Sequence, residues 1–237
     1  MSDATLITFP AAGDKTLPQF LGAQAKELKD VHHELLNEIA RAIAERGWIQ
    51  PVDAVITKLV DQDGLNRDKV TVALNDLVYR RLLLLDDTKA RFAGFLGSIS
   101  FTPTPFRAHL DNGIDVYTYG GMELLAVNST LLKAVDVFTR CPITNKELKL
   151  TIAKEQVVET NIAGISGFMA EWDGTEALSD VAARSPLFAD DAAMDTWVAQ
   201  NPGVKGTELP GDLLLWVGME AAKQLGALRF KLIGHHG

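Results

Sequence analysis

The residues best suited to chemistry lie between Tyr117 and Cys141 of this 237-residue chain. A glycine pair, Gly120-Gly121, precedes Glu123 by two positions, and glycines let another group approach the main chain closely. The pattern from Met122 onward predicts a helix, so Glu123 falls in its first turn, where free N–H groups also form a generic anion site. A carboxylate there either interacts favourably with the helix dipole or, if buried, donates and accepts protons. Both roles stay open.

The flanking segments that must position these residues carry β patterns. Residues 106–110 and 114–118 surround Asp111-Asn112-Gly113, which predicts a hairpin. The helix after Gly121 is predicted to be amphipathic, with Asn128, Ser129 and Lys133 on its polar side. Alternation over 135–140 and 148–152, joined by a turn at 141–146, predicts a second hairpin. The fold class is therefore α+β, with a small antiparallel or mixed sheet and helices on one face.

Residues 106 to the 150s resemble the core of the alkylmercury lyase (organomercurial lyase) family. That family has a strand ending in Tyr-x-x-Cys-x-x-Asp, a short apolar helix, a strand, and a Cys-Pro-x-Thr-Gly-like turn. This chain keeps the spacing of the first motif from Tyr117 to Glu123 and that of the second from Cys141 to Asn145. The resemblance covers residues 105–152 well and 25–200 loosely.

This chain departs from the family at the residues that handle mercury. The resemblance places the first catalytic cysteine on Gly120, the catalytic aspartate on Glu123, and the second catalytic cysteine around 182–184, where no cysteine stands. Cys141, the single cysteine, matches one that the family does not use as its nucleophile. Thiolates capture soft metals such as mercury, and glycine cannot replace them. The resemblance thus implies a retained scaffold without the mercury chemistry.

From this we expect a divergent lyase-like protein that acts on or binds a small organic molecule in the family's cleft. Glu123 would transfer the proton, and Tyr117, Tyr119, Gly120 and Arg140 would contact the molecule. Gly120 would also enlarge the pocket. No cofactor or metal is implied, carbon–mercury cleavage itself is disfavoured, and a homodimer is left open.

Two non-enzymatic alternatives remain, a DNA-binding regulator and an inactive relative that only associates with proteins. Helices are predicted over 24–46, from Pro51, and from Arg67 after the turn 63–66; with a strand and turn at 83–87 they form a winged-helix-like pattern. The predicted recognition helix mixes Arg and Lys with Asp68 and Asp76, and the net charge is −8, which disfavours nucleic acid. A steeply salt-dependent gel shift would favour the regulator.

The predicted division is an arm over 1–23, a winged-helix-like unit with a linker over 24–104, and the lyase-like α+β domain over 105–237. The linker covers 88–105. Helices are also predicted over 190–200 and 212–226. His32 and His33 are expected to face solvent or cap a helix, and His235 and His236 lie in a short polar tail. With no signal peptide or membrane-length apolar run, we expect a cytoplasmic protein without a membrane partner.

Overall fold

The computed structural model describes residues 27–154, 156–172, 176–211 and 214. The predicted arm, most of the final helix and the polar tail lie outside these residues. The described chain has an α+β fold, as predicted. Its helices are α1 (Asp30–Arg46), α2 (Val52–Asp61), α3 (Arg67–Tyr79), α4 (Gly121–Leu124), α5 (Val127–Leu131), α6 (Leu178–Ala183) and α7 (Asp191–Gln200). Its strands are β1 (Leu83–Leu85), β2 (Phe92–Phe95), β3 (Ile99–Ser100), β4 (Arg107–Leu110), β5 (Asp115–Thr118), β6 (Val135–Arg140), β7 (Glu147–Ala153), β8 (Gln156–Thr160), β9 (Ser166–Ala170), β10 (Leu187–Phe188) and β11 (Gly206–Leu209).

The first three helices form where the apolar spacing predicts them. In α1, the side chains of Leu35, Ile39 and Ile43 are fully buried, and Gly47 ends the helix in the left-handed conformation at φ 73°. Pro51 precedes α2, and the Asn66 side chain accepts a hydrogen bond from the Lys69 N–H at 3.1 Å to cap α3. Packing of these apolar faces on one another and on the sheet builds the core of this part.

His32 and His33 are buried, so the expectation that they face solvent is wrong. His32 Nδ1 accepts a hydrogen bond from the Lys29 N–H at 3.0 Å, which is a capping contact, and its Nε2 lies 3.0 Å from Asp76 on α3. Burial lowers the pKa of His32, although the Asp76 carboxylate partly offsets that effect. The histidine therefore ties α1 to α3.

One eight-stranded antiparallel sheet runs through most of the chain, in the order β1-β2-β3-β5-β4-β6-β7-β8. The hairpin predicted around Asp111-Asn112-Gly113 is present as β4 and β5, and Gly113 takes the positive φ of 86° that the turn requires. The predicted linker region holds β2 and β3, and β3 pairs with β5. The sheet is thus continuous across residue 104, and the proposed domain division stays a prediction.

The helix expected after Gly121 is two short helices, α4 and α5, and it is not amphipathic. Apart from Ser129, which is not described, the side chains of residues 121–131 are buried. Leu132 ends α5 in the left-handed conformation at φ 56°. A smaller sheet, β10-β9-β11, packs beside these helices, and α6 leads into its edge strand. The glycine pair and Glu123 therefore lie inside the protein rather than on an amphipathic surface helix.

The Asn66 cap predicts a measurable loss of stability on substitution. Asn66→Ala removes the acceptor for the Lys69 N–H and should lower the free energy of unfolding by about 1 kcal/mol. Urea unfolding followed by circular dichroism measures the change. The matched control is Asn75→Ala at an exposed position within the same helix, which should be neutral or slightly stabilising. Equal losses in both variants would contradict the capping role.

Candidate functional site

The centre of the predicted site is a contact between two stretches of main chain. Gly120 precedes α4 in extended conformation (φ −148°, ψ 172°). A Cβ atom on Gly120 would lie 1.8 Å from the carbonyl oxygen of Ala182 and 2.5 Å from Glu123 Oε2. A Cβ on Gly121 would lie 2.8 Å from the backbone nitrogen of Leu187. The glycines do permit a close approach, but the expectation that Gly120 enlarges a pocket is wrong, because Ala182 and Glu123 fill that space.

Hydrogen bonds hold this contact from both sides. The Thr118 hydroxyl, at the end of β5, donates to the Gly120 carbonyl at 2.7 Å. The Met122 N–H donates to the Ser185 carbonyl at 3.0 Å, and the Ser185 N–H donates to the Ala182 carbonyl at 2.9 Å. The N–H of Met122 is thereby used inside the protein, so the generic anion site expected at this helix start does not form there.

Ser185 links the contact to the smaller sheet. Its hydroxyl donates to the Val181 carbonyl at 3.2 Å and accepts from the Ala170 N–H at 3.2 Å. Sequence reasoning did not select Ser185 or Thr118, because a serine before a proline and a threonine in a strand are common and unremarkable. Only the fold shows that both residues fix the position of the glycine pair.

Glu123 is buried beside this contact, with 8% of its surface exposed. Within the described part of the chain, its Oε2 has no hydrogen-bond partner. Burial raises the pKa of Glu123 to about 8, and a hydrogen bond from its own backbone N–H only partly opposes that shift. The carboxyl group is therefore mainly neutral at neutral pH. A neutral acid gains nothing from the helix dipole, so compensation of the dipole does not explain this residue at neutral pH.

The other predicted contacts do not surround Glu123. Tyr117 and Arg140 both line a groove of about 400 Å³ whose lining includes neither Gly120 nor Glu123. The Tyr119 hydroxyl donates to the Ala93 carbonyl on β2 at 3.0 Å, and burial raises the pKa of this phenol. The structure thus pairs Gly120 with Glu123 and, separately, Tyr117 with Arg140. The functional roles of all five residues stay predictions.

The single cysteine, Cys141, is buried at the start of the turn between β6 and β7. Its Sγ accepts a hydrogen bond from the Thr144 N–H at 3.4 Å. Burial raises the pKa of the thiol, but the hydroxyl and N–H of Thr144, with the N–H groups of Ala189 and Ile143, outweigh burial and lower it. Among the residues that the structure describes, no group of three or more His, Cys, Asp or Glu is placed to hold a metal ion.

Comparisons with known proteins identify the family. The model of a family described as alkylmercury lyase matches residues 99–222. This chain belongs to the alkylmercury lyase family. The match contains the glycine pair, Glu123, Cys141 and the segment around Ala182. No curated protein matches the chain.

A solved structure supports the same fold for this alkylmercury lyase family member. The crystal structure of the mercury-bound form of MerB2 superposes with a TM-score of 0.69 at 20% sequence identity. The alignment covers 89% of this chain and 98% of that chain, so the helical part is included as well as the sheet. At this identity the likeness establishes the architecture only.

The Gly120–Ala182 contact predicts that even the smallest side chain at Gly120 is harmful. Gly120→Ala should lower the free energy of unfolding by about 1–3 kcal/mol or more, because the new Cβ overlaps the Ala182 carbonyl. Chemical denaturation measures the loss. Gly164→Ala is the control, because a Cβ there meets nothing within 4 Å. A Gly120→Ala protein as stable as the control would show that the two main chains are not in contact.

The buried carboxyl predicts a specific pH dependence of stability. The pKa of Glu123 is higher in the folded protein, about 8, than in the unfolded chain, so the folded state holds an extra proton between the two values. Stability therefore falls as pH rises from about 5 to about 8, with a slope from this group of up to about 1.4 kcal/mol per pH unit, and then levels off.

Glu123→Gln removes the pH-dependent contribution of this carboxyl group to the free energy of unfolding. Urea unfolding of the two proteins across that pH range therefore measures the contribution. The stability of the variant relative to the parent should increase with pH. Differences that stay constant with pH would show that Glu123 titrates normally and is not desolvated.

Proposed function

We propose that this alkylmercury lyase family member acts on or binds a small organic molecule, with Glu123 as the residue that transfers a proton. The observation that carries the proposal is the buried carboxyl group, which lacks a hydrogen-bond partner for Oε2 among the described residues. An unpaired buried polar atom is costly for stability, and such costs concentrate at functional sites. The titration near pH 8 suits a group that exchanges protons close to neutrality.

The neutral carboxyl group would first act as a proton donor. Loss of the proton leaves a carboxylate in surroundings that disfavour charge, so the group would readily take up another proton. Oε2 is out of contact with solvent, so a ligand reaches it only when the atoms that cover it move. The segment of Ala182 and Ser185, held by a few backbone hydrogen bonds, is one of the described segments that touch this end of α4.

The same geometry argues against carbon–mercury cleavage as the activity. The chain has one cysteine, Cys141, and it is engaged in the turn after β6. The two positions that meet next to Glu123 are Gly120 and Ala182, and neither offers a thiol. Capture of a soft mercury centre by a pair of thiolates therefore has no support at this contact.

The DNA-binding alternative gains less support from the helical part. At the ends of α3, Arg67 donates to the Thr57 hydroxyl, and Arg80 pairs with Asp76 and Glu27. The exposed side of the helix includes Asp68 and two large apolar side chains, Val72 and Tyr79. Phosphate binding requires a marked excess of cations on one face, whereas the exposed positions of α3 offer only Arg67 and Lys69 beside Asp68.

Two measurements test the proposal. With phenylmercuric acetate and excess thiol, we expect no benzene above the level of a protein-free control, measured by gas chromatography of the headspace.

The second measurement is a thermal-shift screen of small organic compounds at neutral pH. Compounds that stabilise the parent protein through this site should lose their effect on Glu123→Gln. They should keep it on Glu159→Gln, an exposed control.

Benzene release that disappears in Glu123→Gln would show that carbon–mercury cleavage is retained, and would overturn that part of the proposal. A set of ligands that stabilise the parent and both variants equally would remove Glu123 from ligand binding.

A further inference from the structure

A row of alternating aromatic and cationic side chains crosses four neighbouring strands on the outer face of the large sheet. Arg107 on β4 lies opposite Tyr117 on β5 and opposite Phe138 on β6, and Phe138 lies opposite Lys149 on β7. The Arg107 guanidinium sits 4.6 Å from the centre of the Phe138 ring, and Lys149 Nζ sits 5.7 Å from it. These cation–π contacts hold Arg107 in place before any ligand arrives.

The groove of about 400 Å³ that holds Tyr117 and Arg140 lies along this row. Its volume is within the range of small-molecule sites. It combines the rings of Phe106, Tyr117 and Phe138 with the guanidinium groups of Arg107 and Arg140. An aromatic wall with two cations in the same groove suits a flat ring that carries negative charge.

The ion pairs that the two guanidinium groups make with acidic side chains are long and exposed. Arg140 Nη2 lies 3.5 Å from Glu147, with both side chains more than half exposed (60% and 57%), and Arg140 Nη1 donates to the Asn145 carbonyl at 3.0 Å. Arg107 Nη1 lies 3.4 Å from Asp115. Exposed ion pairs of this kind contribute little, so an incoming anion can compete for both arginines.

We propose that this groove binds a small planar aromatic carboxylate, at a site separate from Glu123. The ring lies against Tyr117 and Phe106, and the carboxylate accepts hydrogen bonds from Arg140 and Arg107. Guanidinium and carboxylate groups match as two parallel hydrogen bonds, which favours a carboxylate over a single point charge. A strand of nucleic acid does not fit, because Asp115, Asp136 and Glu147 lie on the same face and would repel its phosphates.

Isothermal titration calorimetry with 2-naphthoate tests the site in the full-length protein. We expect saturable binding to one site. Arg140→Gln should weaken it about tenfold or more through loss of a charged hydrogen bond. Arg67→Gln, an exposed arginine on α3 outside the groove, is the matched control and should bind as the parent does. Thermal unfolding of each variant checks that it is folded.

Three further measurements distinguish this site from non-specific binding and from binding at Glu123. Glu147→Gln should tighten binding, because it removes a competitor for Arg140 and a repulsive charge. The neutral analogue 2-naphthamide should bind more weakly than 2-naphthoate. Glu123→Gln should leave naphthoate affinity unchanged, so the groove and the buried carboxyl group are tested independently.

Absence of saturable binding, or equal affinity in the parent and Arg140→Gln, would overturn the proposal. So would equal affinity for naphthoate and naphthamide, or weaker binding in Glu147→Gln. Loss of naphthoate binding in Glu123→Gln would assign the ligand to the buried carboxyl group instead.

Discussion

The contact between the main chains at Gly120 and Ala182 is the constraint on which the rest of the site depends. It brings the residues after β5 against the C-terminal end of α6 at a separation that no side chain on residue 120 could tolerate. Thr118 and Ser185 fix the two partners by hydrogen bonds to backbone groups. Because Glu123 follows in the first turn of α4, this contact determines that its carboxyl group points into the protein and away from water.

Burial of that acid creates a local conflict with stability. An isolated charged carboxylate is very costly in such surroundings, so the group stays protonated, and an unpaired oxygen still carries a desolvation cost. Glu38 is also buried, but its carboxylate is paired with Lys58 at 2.7 Å and with Arg41. Among the described residues, the protein thus pairs one buried acid with two cations, whereas Oε2 of Glu123 has no hydrogen-bond partner.

The sequence predicts the local elements well and the tertiary contacts poorly. Helices α1–α3 and the hairpin at Asp111-Asn112-Gly113 follow from apolar spacing and turn chemistry, which act over a few residues. Strands β2 and β3 are short and lie among glycines and prolines, so their pattern resembles that of a linker. The helix after Gly121 is buried on all described sides because α1, β9 and α6 cover it, and no local pattern records those partners.

For the candidate residues too, the sequence predicts local proximity but not the contacts between distant segments. Glu123 and Gly120 are close in sequence, so their proximity is predictable, whereas the filling of the space by Ala182 depends on a distant segment. The resemblance to the family did indicate the region around 182–184. Tyr117 and Arg140 share a groove because β4 lies between β5 and β6 in the sheet, an order that the hairpin pattern does not determine.

The pairing of β2 with β3 has a consequence for dissecting this protein into fragments. The family match begins at Ile99, the first residue of β3, so a fragment cut there would lose β1 and β2 along with the helices. The N–H and C=O groups that β3 now shares with Gly94 and Phe95 would then form an open sheet edge. Such edges recruit strands from other molecules, so the fragment should aggregate more readily than the chain in which β2 covers β3.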